Sequence, residues 1–192
     1  MTHIPDIDID FANRVEAMSA IFTVPAMISR DGKKTAHPSG VYVQQAPVDP
    51  FTNLCALDYK EAEALGYFKI DFLNQSVYNE VRDEDHLVTL LGVDPPWELL
   101  DEPAMVEQLP HIHNHYDVVQ SIKPTSISDL AVVLALVRPG KKHLIGQSRA
   151  MIDAEIWKPG DEGYVFRKAH AVAYAALVVV AMNLLCERLL SE

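Results

Sequence analysis

The sequence predicts an α+β fold in which strands come first along the chain and helices follow. From Ile4 to Phe11 acids alternate with apolar side chains, a period of two that is typical of a strand with one face in water. A second short apolar run, Tyr67 to Leu73, follows Gly66 and predicts another strand. The long apolar segment from Lys168 to Leu190 is typical of a helix.

Weaker signals predict the elements between these three. Turn residues such as Asp-Gly and Pro-Pro divide the chain into short pieces, and a hydroxyl residue before an apolar run is a typical helix start. In chain order we expect a short helix over Ala12 to Phe22, a turn over Arg30 to Lys34, a strand over Val41 to Gln44, a turn or short helix over Tyr59 to Leu65, a helix over Asn74 to Leu91, and a helix that Ser128 caps and that ends at Leu136.

The composition excludes several classes of protein. The 192 residues are 49% hydrophobic and 22% charged, which is ordinary for a globular domain and wrong for a disordered or fibrous chain. The net charge of −11 argues against a protein that simply coats nucleic acid, because phosphate contacts need clustered cations. The charge is uneven: residues 72–137 hold eleven acids and two bases, whereas residues 138–170 hold seven bases and four acids.

Three features favour a cytoplasmic protein. Cys55 and Cys186 are the only cysteines, so the sequence implies no disulfide framework and a reducing compartment is expected. The first ten residues lack the basic and apolar regions of a secretory signal. The apolar stretch from Ala169 to Leu185 is short for a membrane span and contains His170 and Asn183, so we interpret it as a buried helix.

The acids of the first strand are candidate metal ligands. Residues two apart on a strand share a face with their Cα atoms about 6.5 Å apart, so Asp6 and Asp8 are placed to hold divalent cations through hard oxygen ligands. On spacing alone, an edge strand with solvated acids is the favoured alternative, and a calcium loop is disfavoured because Phe11 stands where glycine is needed. Asp71 interrupts the second strand and is costly to bury unless it is paired or metal-bound, so it is a candidate third carboxylate.

Three other segments carry groups that bind phosphate or metal. A histidine, a hydroxyl and backbone N–H groups meet at the turn containing His37, Ser39 and Gly40, a plausible phosphate contact, although an ordinary hairpin turn is the favoured alternative. Basic clusters near helix ends suit triphosphates, or else form a solvated cationic face; they contain Arg138, Arg167, Lys168 and His170. His111, His113 and His115 alternate as on a strand face, and zinc binding is a weaker hypothesis because no cysteine lies nearby.

Taken in order, five blocks resemble the C-family replicative polymerases, the α subunit of bacterial DNA polymerase III. PDIDIDF is similar to the catalytic strand of the family, and AHPSGVYV to its H-x-x-G-V-V-I strand. DYKEAEALGYFKIDFLN resembles the block that ends in K-F-D-F-L-G. SISDLAVVLALVRPG resembles the fingers helix that ends in R-P-G-P, and GYVFRKAHAVAYA the segment G-Y-x-F-N-K-S-H-A-x-A-Y.

The resemblance implies a palm with the nucleotidyltransferase fold of polymerase β over residues 1–73 and a helical fingers-like region over 74–192. It implies that Asp6, Asp8 and Asp71 are catalytic ligands of Mg²⁺ or Mn²⁺, whereas Asp10 is not a principal ligand. Lys69 matches the lysine beside the third aspartate. The positions expected near the incoming triphosphate are Arg138, Arg167, Lys168 and His170.

The departures from the family leave two functions open. The N-terminal PHP domain, the Gly-Ser loop before the catalytic strand and room for a thumb are all missing, so the chain resembles a minimal, phage-like palm plus fingers. One expectation is DNA synthesis from primer-template DNA and dNTPs, with a replication protein as the partner that supplies thumb or clamp contacts. The other is a non-catalytic relative that binds DNA or docks to replication proteins.

Overall fold

The computed structural model describes residues 7–159 and 166–191, and the chain forms two compact units, Met1–Asn79 and Glu80–Glu192. The first unit contains a mixed sheet and the second is helical, so the predicted α+β class is confirmed. In the described residues the strands are β1 (Ile7–Phe11), β2 (Val24–Arg30), β3 (Lys33–Tyr42) and β4 (Ile70–Asn74). Two helices accompany them, α1 (Arg14–Ala20) and α2 (Tyr59–Ala64).

The sheet has the strand order β1-β4-β3-β2. β1 pairs with β4 in parallel, whereas β4 with β3 and β3 with β2 are antiparallel. The predicted strand at Ile4 to Phe11 is therefore present from Ile7 onwards, and its first residues lie outside the described part of the chain. The apolar face of β1 is only half covered, because Ile7 and Ile9 remain 46% and 38% exposed at the edge of the sheet.

The hairpin formed by β2 and β3 corrects the sequence prediction. Its turn is the predicted Asp-Gly pair: Asp31 and Gly32 have φ values of 52° and 75°, both in the left-handed region that two-residue hairpin turns use. The strand expected to start at Val41 begins at Lys33, and β2 was not predicted. The local pattern was too weak, since Pro25 interrupts β2 and the exposed half of β3 has no apolar alternation.

A large irregularity interrupts the pairing of these two strands. Pro25 pairs with Val41 and Met27 with Ala36, so the single residue Ala26 lies opposite four residues, 37–40. Extra residues in one strand leave the ladder and change the direction of their side chains. The segment 37–40 is therefore released from regular alternation immediately beside β4.

The core of the first unit is formed by residues of the sheet and of the segment that joins β3 to β4. Val24, Ala26 and Tyr42 pack with Cys55 and with Ala62 of α2. α2 begins at a capping box in which the Asp58 side chain accepts from the backbone at the helix start and the Glu61 side chain accepts from the Asp58 N–H. Asp58 also accepts a hydrogen bond from the Ser29 N–H at 2.8 Å, which ties the helix to β2.

The second unit is built around two apolar helices that pack on each other, α6 (Ile127–Leu136) and α8 (Lys168–Ser191). Every residue of α6 from Leu130 to Leu136 is buried. In the described residues this unit contains α3 (Glu84–Gly92), α4 (Pro103–Val106), α5 (Tyr116–Ile122), α6 (Ile127–Leu136), α7 (Arg149–Glu155) and α8 (Lys168–Ser191). Short 3₁₀ helices cover Ser76–Glu80, Trp97–Asp101 and Pro139–Leu144.

The last helix is confirmed almost to the residue, whereas two other helix boundaries were wrong. Ser126, not Ser128, caps α6, because its hydroxyl accepts from the Asp129 N–H at 3.1 Å. Asn74 ends β4, so the helix expected to begin there starts only at Glu84, where the Asp83 side chain caps it. Pairing with β1 overrides the local helical pattern at Asn74.

α8 is long and apolar enough to cross a membrane by length and composition, and it is the one such helix among residues 7–159 and 166–191. More than half of its most apolar window is buried within the protein. The core helix of a soluble protein is buried in the same way, and this agrees with the interpretation of the apolar stretch as a buried helix.

Candidate functional site

Two of the predicted metal-binding carboxylates belong to neighbouring positions of the sheet. Asp8 of β1 pairs with Asp71 of β4 in parallel register. Adjacent strands lie about 4.8 Å apart, and paired residues of parallel strands share a face of the sheet. Asp6, the third predicted ligand, lies outside the described residues. Within the described part of the chain no three potential ligands come together, so the structure supplies a pair of carboxylates at this point.

The two carboxylates have different surroundings. Asp8 is exposed, whereas Asp71 is only 8% exposed. The Ser39 hydroxyl donates to Asp71 Oδ1 at 2.7 Å, and the Lys69 ammonium group contacts Oδ2. Each oxygen of the buried carboxylate is thus held by a different group, and Lys69 compensates its charge.

The turn that carries Ser39 is held from within by His37. His37 Nδ1 accepts hydrogen bonds from the backbone N–H of Ser39 at 3.3 Å and of Gly40 at 2.8 Å. A ring nitrogen that accepts carries no proton, so the neutral ring is protonated on Nε2. The 3.7 Å approach of Nδ1 to Asp71 Oδ1 is therefore a proximity and not an ion pair.

The predicted phosphate-binding turn thus reaches the acid site, with its donors turned inward. Both N–H groups point to His37 Nδ1, and the hydroxyl donates to Asp71. A direct contact of these groups with phosphate stays a prediction. The observed contacts of the turn fix the position of the Asp71 carboxylate.

Glycine is required at position 40 by close packing. A Cβ atom there would lie 2.8 Å from Lys69 Cδ and 2.9 Å from His37 Nδ1, closer than carbon side chains approach in folded proteins. Gly40 also pairs with Asp71 across β3 and β4. Because Gly40 has no side chain, Lys69 and His37 can both approach Asp71 across the backbone of residue 40.

Asp10 lies on the same face of β1 as Asp8 and has a different hydrogen-bond partner from Asp71. Partial burial raises the pKa of the Asp10 carboxyl; a hydrogen bond with Gln75 lowers it, and the negative charge of Asp8 raises it again. The pKa of the nearby Tyr78 is raised as well, first by burial and then by the negative charge of Asp10. Asp10 is thus engaged by a neutral amide, and its part in metal binding stays a prediction.

The sequence reasoning missed two residues that join this region. The Arg14 guanidinium donates to the Ser39 carbonyl oxygen at 3.4 Å, and its Nε is buried without a hydrogen-bond partner among the described residues. The Arg14 backbone N–H donates to the Asn74 side chain at 3.0 Å, which fixes the start of α1 beside β4. Gln75 is buried next to Asp10. No local pattern marks either residue, because only the pairing of β1 with β4 brings them to this site.

The predicted nucleotide-binding residues of the second unit lie around the start of α8. The Arg138 guanidinium stacks on the Phe166 ring at 4.4 Å, and Phe166 lies parallel to Tyr174 at 6.3 Å. The Lys168 ammonium lies 5.9 Å from the Trp157 ring centre, while Arg167 is exposed and His170 is half-buried. Arg138 is thereby packed on an aromatic stack, and Arg167 and Lys168 face solvent.

The histidine cluster is a turn and not the strand that its alternation predicted. His111 and Asn114 have φ values of 63° and 65°, which break any extended run. His111 packs against Tyr174 at 4.5 Å, and burial, together with Arg138 and His113, lowers the pKa of its ring. His111, His113 and His115 form no metal-binding group among the described residues, and Ile112 between them is fully buried.

Comparison of the chain with protein-family models and with curated proteins finds no match in either set.

Proposed function

We propose that the chain is a DNA-directed nucleotidyltransferase that extends a primer on a template with the help of two divalent metal ions. The observation that carries the proposal is the parallel register that places Asp8 opposite Asp71 on adjacent strands. Paired carboxylates on a rigid sheet are the usual support for two metal ions in phosphoryl and nucleotidyl transfer. The five sequence blocks that resemble C-family polymerases, in the same order, support the same activity.

The donor set suits Mg²⁺ or Mn²⁺. Asp8 and Asp71 offer hard carboxylate oxygens, and Asp6 would complete the set. When bound, the metal ions would activate the primer 3′-hydroxyl and neutralise charge on the triphosphate. Within the protein, Lys69 holds Oδ2 of Asp71 and would be a further positive charge beside the transferred phosphate.

The nucleotide is proposed to bind through the cations at the start of α8. Arg167 and Lys168 are exposed there, and Arg138 is held rigid by its stacking on Phe166. A triphosphate needs cations at fixed positions, which these neighbouring residues supply. His170 is the fourth member of the proposed set. Lys141 is excluded from it, because its ammonium donates to the backbone oxygens of Glu155 and Lys158, both at 2.8 Å.

The activity is tested by primer extension with purified protein, dNTPs and Mg²⁺ or Mn²⁺. Asp8→Asn and Asp71→Asn should each abolish extension, because the amide is a poor metal ligand. The matched control is Asp31→Asn, since Asp31 is exposed at the hairpin turn and asparagine tolerates its positive φ. Extension that survives both site substitutions would refute the proposal.

The nucleotide site is tested separately by equilibrium binding of a dNTP at fixed low salt. The double substitution of Arg167 and Lys168 by alanine should weaken binding by about tenfold or more, because charge-assisted contacts to phosphate are lost. The double substitution of Lys33 and Lys34 by alanine removes the same charge from an exposed strand end and should leave affinity unchanged. Equal affinities in both variants would remove these residues from the proposed site.

A non-catalytic function is the second candidate, and one observation favours it. Asp71 is already satisfied by Ser39 and Lys69, and a metal ligand needs oxygens that remain available. In that case the half-exposed Ile7 and Ile9 would belong to a docking surface for DNA or a replication protein. Binding of primer-template DNA that is unchanged by EDTA, without any extension, would favour this candidate. For either function, we propose a cytoplasmic protein whose partners are replication components.

A further inference from the structure

We propose that His37 is a positioning residue that acts on Asp71 through Ser39, and not a ligand of the nucleotide. The proposal rests on the proposed function in one respect, namely that Asp71 is a carboxylate of the metal site. What the structure adds is a chain of two contacts, from the His37 ring to the backbone of the turn and from the Ser39 hydroxyl of that turn to Asp71.

In the first contact, one ring nitrogen of His37 accepts hydrogen bonds from two backbone N–H groups. Nδ1 of His37 lies 3.3 Å from the nitrogen of Ser39 and 2.8 Å from that of Gly40. An asparagine or aspartate oxygen closes turns in the same way, by accepting from the N–H groups two and three residues further on. His37 therefore closes this turn as a side-chain cap.

The second contact depends on the irregularity in β3. In an unbroken strand, Ser39 and Gly40 would point to opposite faces of the sheet. Residues 37–40 lie outside the regular ladder with β2, and Ser39 is thereby free to direct its hydroxyl to Asp71 Oδ1 at 2.7 Å. The conformation that permits this contact is the one that His37 Nδ1 holds.

The contact between Ser39 and Asp71 also sets the orientation of the carboxylate. Ser39 holds Oδ1 and Lys69 holds Oδ2, so both ends of the group are fixed. If the Ser39 contact is lost, only Lys69 still holds the carboxylate. The Asp71 carboxylate can then rotate about its Cβ–Cγ bond. Groups that orient a metal-binding carboxylate in this way typically change metal affinity or activity by about 10- to 100-fold when removed.

The position of the ring also favours this role. The His37 ring meets Tyr59 edge to face at 5.3 Å, and Nδ1 faces the turn. The competing role, a phosphate contact, would have to use Nε2, because Nδ1 is engaged. The two roles thus use opposite nitrogens of one ring, and this makes them separable by substitution.

The experiment compares His37→Asn, His37→Gln and His37→Ala in the full-length protein. The Asn side-chain oxygen occupies the place of Nδ1, at the same number of bonds from the backbone, whereas the Gln side chain reaches the place of Nε2. Mn²⁺ affinity is measured by titration with Mn²⁺ alone, and primer extension is measured in parallel. We expect the Asn variant to remain within about threefold of the wild type and the Gln and Ala variants to lose about tenfold or more.

The opposite order, with Gln active and Asn inactive, would overturn the proposal and assign His37 to the nucleotide. Equal loss in all three variants, or equal retention, would overturn it as well. Circular dichroism of each variant shows whether the fold is intact. A double-mutant cycle adds a readout that a merely structural role does not change: His37→Ala should have little further effect on Mn²⁺ affinity in a Ser39→Ala background.

Failure of the proposed function is distinguishable from failure of this inference. The ¹⁵N spectrum of the imidazole ring, together with the N–N coupling between the Gly40 amide and Nδ1, reports the first contact without metal or substrate. Wild-type protein that neither extends primers nor binds Mn²⁺ would refute the proposed function, and His37 would remain a turn-closing residue if the coupling is present. A ring protonated on Nδ1, or no coupling, would overturn the inference whatever the activity.

Discussion

The substitution Gly40→Ala tests the packing of the site directly, because it adds one methyl group where the side chains of Lys69 and His37 converge. The new Cβ would lie 2.8 Å from Lys69 Cδ, 2.9 Å from His37 Nδ1 and 3.1 Å from His37 Cγ. The His37 ring cannot retreat without releasing the N–H groups of Ser39 and Gly40. Lys69 is flexible, but its ammonium is held by Asp71. The substitution therefore forces a displacement at the Asp71 carboxylate.

Overpacking of this kind costs about 1–3 kcal/mol, and each net hydrogen bond that is lost adds about 0.5–1.5 kcal/mol. We expect the free energy of unfolding of the first unit to fall by about 2 kcal/mol if the ring shifts and one of its two bonds breaks. Urea denaturation followed by far-ultraviolet circular dichroism measures this loss, and Mn²⁺ titration measures the accompanying loss of affinity.

The control for the added methyl group is Gly92→Ala, because a Cβ at Gly92 meets no atom within 4 Å and its φ is not positive. This variant should be as stable as the wild type or slightly more stable, since alanine favours the end of α3. A Gly40→Ala protein within about 0.5 kcal/mol of the wild type, the spread of neutral surface changes, would refute the crowding argument. Close packing would then no longer explain why glycine occupies position 40.

Millimolar Mn²⁺ should raise the Tm of the wild type and not that of Asp8→Asn, by differential scanning calorimetry; the rise should be modest, because Lys69 already compensates Asp71. The pKa of Asp10 is raised in the folded protein, so its ionised form opposes folding. In EDTA, the Asp10→Asn variant should therefore be more stable than the wild type at pH 7 and equal to it below pH 3.8. Equal stability of the two proteins at pH 7 would contradict this. His86 Nε2 lies 3.0 Å from Glu187 and lowers the pKa of that carboxyl, so the pair stabilises the α3–α8 contact above about pH 4.5 and its contribution is lost on further acidification. The unfolding free energies of Glu187→Gln and wild type should accordingly converge at low pH, and a constant difference across the titration would count against the pairing.

Several elements were predictable because their signals are local. The acid strand, the Asp-Gly turn and α8 each follow from a pattern of a few adjacent residues, and the structure has all three, the strand from Ile7 onwards. The failures at β2 and at Asn74 depended on partners elsewhere in the chain. β2 is a strand because it pairs with β3, and Asn74 is extended because it pairs with Phe11 of β1.

The candidate site follows the same division. The sequence by itself determined which chemistry is present: alternating carboxylates, a strand aspartate with Lys69 two residues before it, and a histidine three residues before a glycine. Only the tertiary structure decided that Asp8 pairs with Asp71, that Ser39 and Lys69 take one oxygen each of that carboxylate, and that Arg14 reaches the Ser39 carbonyl. The physical reason is that strand register and a four-residue irregularity are set by packing across the whole sheet, whereas periodicity and turn preference act over only a few adjacent residues.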